Sequence, residues 1–231
     1  MNDIRVVIAI PSTQEWSADF GMSLIFMTNY LAANGKIGDK YLQFRVHNKK
    51  GSILASMRES LLRDAIDGDA THLLFIDSDQ TFPRDLFHRL YAQKKEVVAC
   101  NIATKMLPST STARMKDPKS TAGIPLITKP DSTLCTRVWR VGTGIMLIDL
   151  SIFKKHKIPQ PWFNQHWNEE LQSYTGEDWA FCENLEKAGV GIYVDQSVSR
   201  EIGHVGSLVY NHTLVEVSEE LENEPAHSIA S

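Results

Sequence analysis

The stretch Leu73-Leu74-Phe75-Ile76-Asp77-Ser78-Asp79, followed by Gln80-Thr81-Phe82-Pro83, decides the fold. Four large apolar residues end abruptly in two carboxylates one residue apart. Such a run reads as a strand buried on both faces, of the kind found in parallel sheets. Strands of open α/β sheets present ligands at their carboxyl ends. On an extended chain residues i and i+2 point the same way, so Asp77 and Asp79 are expected to aim together beyond the sheet. Two like charges held close repel unless a positive group joins them, and a divalent cation carrying phosphates is a fitting partner. The plainer alternative is that both Asp start a turn and cap the helix after Phe82-Pro83.

Working outward, residues 4–10 (IRVVIAI) form a second buried strand that stops at Pro11-Ser12-Thr13. Residues 19–34 carry apolar side chains at helical spacing with Gly35 behind them, a helix with a glycine stop. A short strand over 42–46 ends at His47-Asn48. Residues 52–67 show the clearest amphipathic stripe (Ile53, Leu54, Met57, Leu61, Leu62, Ala65, Ile66), with Ser52 as the expected N-cap. Residues 83–93 add a helix and 96–102 a strand. The first hundred residues thus read β-α-β-α-β-α-β, which implies a mostly parallel sheet flanked by helices. Residues 103–131 interrupt the rhythm as a long polar loop. Strands follow at 137–141 and 145–148, on either side of Gly142-Thr143-Gly144, where glycines suggest a close backbone approach. Residues 159–174 are irregular and aromatic. A helix begins at Glu177-Asp178 and stops at Gly189, then come a strand over 191–195 and Gly203-His204-Val205-Gly206.

The bulk figures bound the function. With 231 residues, 42% hydrophobic, 23% charged and a net charge of −4, the chain is long enough for a full core and has no general pull toward nucleic acid or membrane. Residues 103–140 differ, with seven Lys/Arg against Asp117 and Asp131, a local surplus of five positive charges. The expected organisation is one domain over 1–215 and an acidic, flexible tail over 216–231. Cys100, Cys135 and Cys182 show neither a disulfide framework nor zinc spacing, so a reducing cytoplasm is the simplest compartment. No run reaches the roughly 18 apolar residues of a membrane span, and the amino terminus reads as a strand and not a signal peptide.

The order of the Pro-Ser-Thr loop, IDSD, VGTGIMLI, GEDWAFCENLEKAG and GHVG resembles the GT-A fold glycosyltransferases, in particular short soluble bacterial and phage-type members, over nearly the whole chain. The resemblance implies a Rossmann-like nucleotide-binding fold, a nucleoside-diphosphate sugar as donor, and Mn²⁺ or Mg²⁺. It implies that Asp79 and His204 hold the metal. Asp77, Ser78, Pro11, Ser12, Thr13 and Arg58 then meet the donor, Asp77 at its ribose or sugar. Asp178 becomes the general base of an inverting reaction, with Glu177 beside it for the acceptor or for orientation. Thr143, Gly144, Trp162, Trp167 and Trp179 fall on the acceptor side, and Lys105, Arg114 and Lys116 are candidate phosphate contacts. Two features depart from the pattern. His47-Asn48 stands where many members keep an acidic base-binding residue, and the basic segment is long.

The acceptor stays open between a glycan and a hydroxymethylated base of phage-type DNA, where Lys/Arg would meet phosphates and aromatics would stack a displaced base. Taken alone, a lone histidine is more often a satisfied side chain, and Glu177-Asp178 can be explained as caps on the helix dipole. Two rival functions remain. Asp77-Ser78-Asp79-Gln80-Thr81 also fits the DxDxT nucleophile motif of haloacid dehalogenase-type Mg²⁺ phosphatases, although two strands and two helices precede it here. A non-catalytic nucleotide-sugar or glycan-binding module is the other.

Overall fold

The computed structural model describes residues 3–13, 15–169, 172–206 and 209–215; the acidic tail expected over 216–231 lies outside them. The elements run β1 (Ile4–Ser12), α1 (Ala18–Ala33), β2 (Lys36–Ile37), β3 (Lys40–Lys50), α2 (Leu54–Asp67), β4 (His72–Ile76), β5 (Gln80–Thr81), α3 (Leu86–Ala92) and β6 (Val97–Ala99). They continue with β7 (Arg114–Asp117), β8 (Ser120–Pro125), β9 (Cys135–Val138), β10 (Ile145–Asp149), α4 (Ile152–Lys155), β11 (His166–Asn168) and β12 (Ser173–Thr175). Last come α5 (Glu177–Lys187), β13 (Ile192–Asp195), α6 (Gln196–Ser199), β14 (Gly203–Val205), β15 (Val209–Tyr210) and a short 3-10 turn.

Eight strands form the central sheet in the order β2-β3-β1-β4-β10-β6-β13-β9. Strands β3, β1, β4, β6 and β13 run the same way, as the alternating pattern implies. Between β4 and β6 lies β10, antiparallel to both, so these two strands are not neighbours. The run IMLI is apolar at every position because it is covered on both faces. Nothing in such a run distinguishes the two directions.

Alternation along the strands divides the core. Leu73 and Phe75 turn to the face covered by Leu61, Leu62 and Ala65 of α2 and by Phe181, Cys182 and Leu185 of α5. Leu74 and Ile76 turn to the other face, under Phe20, Leu24, Met27 and Leu31 of α1 and Leu86, Phe87 and Leu90 of α3. This is a mixed α/β architecture with helices on both sides of one large sheet, and it leaves the carboxyl ends of the parallel strands free for a site.

Two local expectations are corrected. The segment 103–131 is not a structureless loop: β7 and β8 pair as a hairpin, and β7 is tied to Arg140 by an antiparallel bridge. Asp117 accepts from the Lys119 amide at 2.9 Å, an Asx turn ahead of Ser120. Ser52 does not cap α2. The N-cap is Ile53, with no side-chain cap bond, which leaves the first amides of this helix open.

Candidate active site

Strand β4 ends at Ile76, and the chain turns at once. The Asp77 amide donates to the Gly144 carbonyl at 2.8 Å, and the Gln80 amide donates back to the Asp77 carbonyl at 3.2 Å. Ser78 and Asp79 therefore sit in a turn and not on an extended strand, and the two carboxylates take different partners, Asp77 on the inner and Asp79 on the outer side of one shared pocket.

The inward group meets Arg58 on α2. Its Nη2 donates to both Asp77 oxygens, at 2.8 and 2.9 Å, while Nη1 donates to Glu177 Oε1 at the start of α5. The Arg58 side chain is only 2% exposed. Burial alone would lower its pKa, but the surrounding Asp77, Glu177 and Asp178 outweigh that and raise it. Arg58 is expected from the sequence at the nucleotide; here its guanidinium is committed to two carboxylates and braces α2, β4 and α5 together. A buried charge needs such partners to be tolerated.

Asp178 lies one residue further along α5, its Oδ1 accepting from the Trp179 amide at 2.7 Å. Burial pushes its carboxyl up to about 6, with the neighbouring Glu177 adding to the rise and Arg58 opposing it. The helix amino terminus favours ionisation but does not win against desolvation. The segment Gly142-Thr143-Gly144 runs between the two carboxylate groups. A Cβ on Gly144 would lie 2.9 Å from Ile102 Cδ1 and 3.1 Å from Asp77 Oδ2, and one on Gly142 would lie 3.5 Å from Asp178 Oδ2. Glycine is needed at 144 for that approach. Thr143 is buried, and its Oγ1 lacks a hydrogen-bond partner among the described residues.

The outward group, Asp79, is 38% exposed. Its Oδ2 accepts from Lys105 Nζ at 2.5 Å and faces His204 Nε2 at 3.5 Å. Partial burial would raise the Asp79 carboxyl, yet His204 and Lys105 hold it down at about 2. The geometry is set by backbone: the Val205 amide donates to the Asp79 carbonyl at 2.7 Å, and β14 pairs with β5. His204 Nδ1 donates to the Ala103 carbonyl at 2.9 Å. A carbonyl can only accept, so Nδ1 donates to it, and Nε2 is the ring atom that faces Asp79.

A cation at Asp79 and His204 would find two protein donors, one of them already oriented by a backbone carbonyl. Among the described residues no cluster of three or more His, Cys, Asp or Glu gathers as a metal site. A carboxylate and an imidazole, with phosphate oxygens completing the shell, fit a divalent ion that accepts both nitrogen and oxygen, such as Mn²⁺.

Asp79 is itself part of a pocket lined by Pro11, Ser12, Thr13, Ser52, Leu54, Met57, Asp77 and Ser78. The open amides of α2 begin at its wall, an arrangement that suits an anion. Asn48 fixes the first loop from β3, its Nδ2 donating to Ile10 O and Ser12 Oγ, both at 2.8 Å. Sequence reasoning flags Asn48 only as a departure and misses this brace. A polar residue next to the basic pair Lys49-Lys50 is the one signal.

The acceptor-side and phosphate expectations fare unevenly. Trp162 is 6% exposed and packs edge-on against Phe153, its amide and that of Phe163 held by Glu59. It is a core residue, which corrects its placement at the acceptor. Trp167 is exposed on the β11–β12 hairpin, edge to face with Tyr174. Trp179, partly exposed, lies under the Arg140 guanidinium at 4.8 Å. Arg140 in turn pairs with Glu183 at 2.5 Å and lies over Trp139. Lys116 pairs with Glu186 at the far end of α5, well along the helix from Asp178, so it is not gathered with Asp79. Arg114 lies across the bridge from Arg140, its pKa lowered by burial.

No protein-family model and no curated protein matches the chain. Solved structures do. The chain is similar to A197 from STIV, with a TM-score of 0.56 at 18% identity over 88% of this chain and 86% of that one. It is also similar to a Drosophila β-1,4-galactosyltransferase 7 mutant solved with manganese, UDP-Gal and xylobiose, at a TM-score of 0.49 and 12% identity, covering 97% and 82%. A third is S. aureus TarS with UDP-GlcNAc, at 0.43 and 14%, covering 83% and 56%. At 18% identity the likeness to A197 from STIV is one of fold. Among the described residues no helix is long and apolar enough to cross a membrane.

Proposed function

We propose that this is a single GT-A-type domain that transfers a sugar from a nucleoside-diphosphate donor to an acceptor hydroxyl, with a divalent cation and with inversion. One observation carries the reading. At the carboxyl end of the sheet an Asp79–His204 pair, suited to a cation, stands with a half-buried Asp178 whose carboxyl is raised to about 6.

In this reading the pocket from Pro11 to Thr13 and the α2 amino terminus hold the nucleoside diphosphate, and Asp79 with His204 holds the cation on it. The cation, when bound, neutralises charge growing on the leaving diphosphate. Arg58 holds Asp77 and Glu177 in place without touching the donor. Asp178 Oδ2, on the side away from its bond to the Trp179 amide, takes the acceptor proton; a pKa near 6 suits a base that works at neutral pH. The Trp179 face and the exposed Trp167–Tyr174 pair support a carbohydrate acceptor, since sugars stack on aromatic rings. Three cations of the basic segment, Lys105, Lys116 and Arg140, are engaged by Asp79, Glu186 and Glu183, which weakens the case for a DNA acceptor. The turn at Asp77 also counts against the phosphatase reading, because Arg58 takes both oxygens that such a nucleophile would need.

Thermal stability against a panel of nucleoside diphosphates and nucleotide sugars, with and without Mn²⁺, tests the reading. A ligand at about 100 times its dissociation constant adds about 2.7 kcal/mol. The expected outcome is stabilisation by one nucleotide that needs Mn²⁺ and is absent in Asp79→Ala. Stabilisation by Mg²⁺ with a phosphate mimic, and by no nucleotide, would sink it. DNA binding that falls steeply with salt would instead bring back the DNA acceptor.

A further inference from the structure

The strongest unexplained contact in the molecule is Lys105 on Asp79. Both Lys105 Nζ, at 2.5 Å, and His204 Nε2, at 3.5 Å, converge on the same oxygen, Oδ2. The other oxygen, Oδ1, has only a long contact of 3.3 Å from Gln80 Nε2. An ammonium seated on Oδ2 and a divalent cation bound there would bring three positive charges within a few ångströms, so the two cannot share that oxygen.

The loop that carries Lys105 is stiff at its base and loose at its tip. Thr104 and Thr110 exchange two bonds, amide to carbonyl at 2.9 Å and amide to Oγ1 at 3.0 Å, and Ser109 Oγ donates to the Thr104 carbonyl at 2.9 Å. The Thr112 amide closes the base on Ile102 at 3.0 Å. Lys105 is the first residue past this staple, and Met106 and Leu107 after it are exposed. Among the described residues the Lys105 side chain bonds to Asp79 alone, and with 33% exposure it can swing away. The same loop, through the Ala103 carbonyl, orients His204. One short segment thus orients one cation ligand and covers the other.

We propose that Lys105 is a displaceable counter-ion for Asp79: it occupies the seat of the divalent cation, leaves when the cation enters with the diphosphate, and its freed ammonium then meets the phosphates. This rests on the Asp79–His204 pair being a cation site. Lys105 therefore sets the order of events, because a bare cation must compete with it, whereas a cation arriving on a diphosphate gives the ammonium a new anion to bind.

The test is Mn²⁺ affinity of the nucleotide-free protein, followed by the electron paramagnetic resonance of free Mn²⁺, for wild type, Lys105→Met and Lys105→Arg. Removing an exposed pair of this kind should tighten Mn²⁺ binding by about fivefold in Lys105→Met, leave Lys105→Arg near wild type, and Asp79→Asn should lose the site in every background. With inorganic pyrophosphate present, the advantage of Lys105→Met over wild type should shrink or reverse. An unchanged or weaker Mn²⁺ affinity in Lys105→Met overturns the proposal, as does absence of Mn²⁺ binding in both proteins. If Lys105→Met binds Mn²⁺ more tightly while no nucleotide binds either protein, the counter-ion role stands and the transferase reading falls.

Discussion

Asp77 and Asp79 are two residues apart and chemically identical, yet the fold treats them as opposites. Asp77 is locked against a buried guanidinium that also holds Glu177, while Asp79 stands at the rim with an exposed lysine and a histidine. The first carboxylate is part of the frame, and the second is available to a ligand. A motif of two acids thus divides the labour between holding the site and using it, and the divider is the turn that starts at Asp77.

The largest contrast should come from neutralising each in turn. Asp77→Asn leaves Arg58 buried with half its countercharge and should cost about 3–5 kcal/mol in urea unfolding. Asp79→Asn removes only an exposed pair and should stay within about 1 kcal/mol of wild type while losing cation-dependent ligand binding. Equal losses from the two would break the comparison.

Asp178 should behave differently from both. Its folded pKa of about 6 lies above the ordinary carboxylate value, so the folded chain keeps a proton there that the unfolded chain releases. Stability from this group is present below about pH 4 and is lost as pH rises through about 6. Asp178→Asn should then be more stable than wild type at pH 7–8, on the order of 1–3 kcal/mol, with the two converging near pH 4. Transfer activity should fall by about 10²–10⁴-fold, and the wild-type rate should rise with pH through about 6. Melting curves across pH check the first claim. A variant less stable at pH 8 would show that Asp178 is a frame residue like Asp77.

A purely steric effect is expected at Gly144. A methyl there must displace Ile102 Cδ1 and crowd Asp77 Oδ2, so Gly144→Ala should cost about 1–3 kcal/mol. If it is neutral in denaturant titration, the floor of the site is softer than the distances imply.

Much of this is legible in the chain. The run ending at Asp77, the stripe of α2 and the helix opening at Glu177 are set by local periodicity, and each falls within a few residues of its expected place. What is not legible is non-local. The direction of β10 leaves no mark on an all-apolar run. The burial of Trp162 follows from Glu59, about a hundred residues away, receiving its amide. The raised pKa of Asp178 reflects desolvation by the assembled site, whereas its position on the helix argues the other way. The β7–β8 hairpin did have a signal, Asp117-Pro118, a turn starter that the surrounding polarity hides.

The antiparallel insertion of β10 has a consequence for how the protein is made. Until residues 145–149 leave the ribosome, β4 and β6 each present an unpaired, fully apolar edge, and the two halves of the sheet have no strand between them. Roughly 45 residues separate the two events, a few seconds of synthesis at ordinary rates. During that interval the nascent chain offers two templates for wrong pairing, and the strand that seals them is the one whose leading glycine also seats Asp77. Insertion of β10 thus joins β4 to β6 and anchors Asp77 in one step, while Asp178 and His204 arrive only later with α5 and β14.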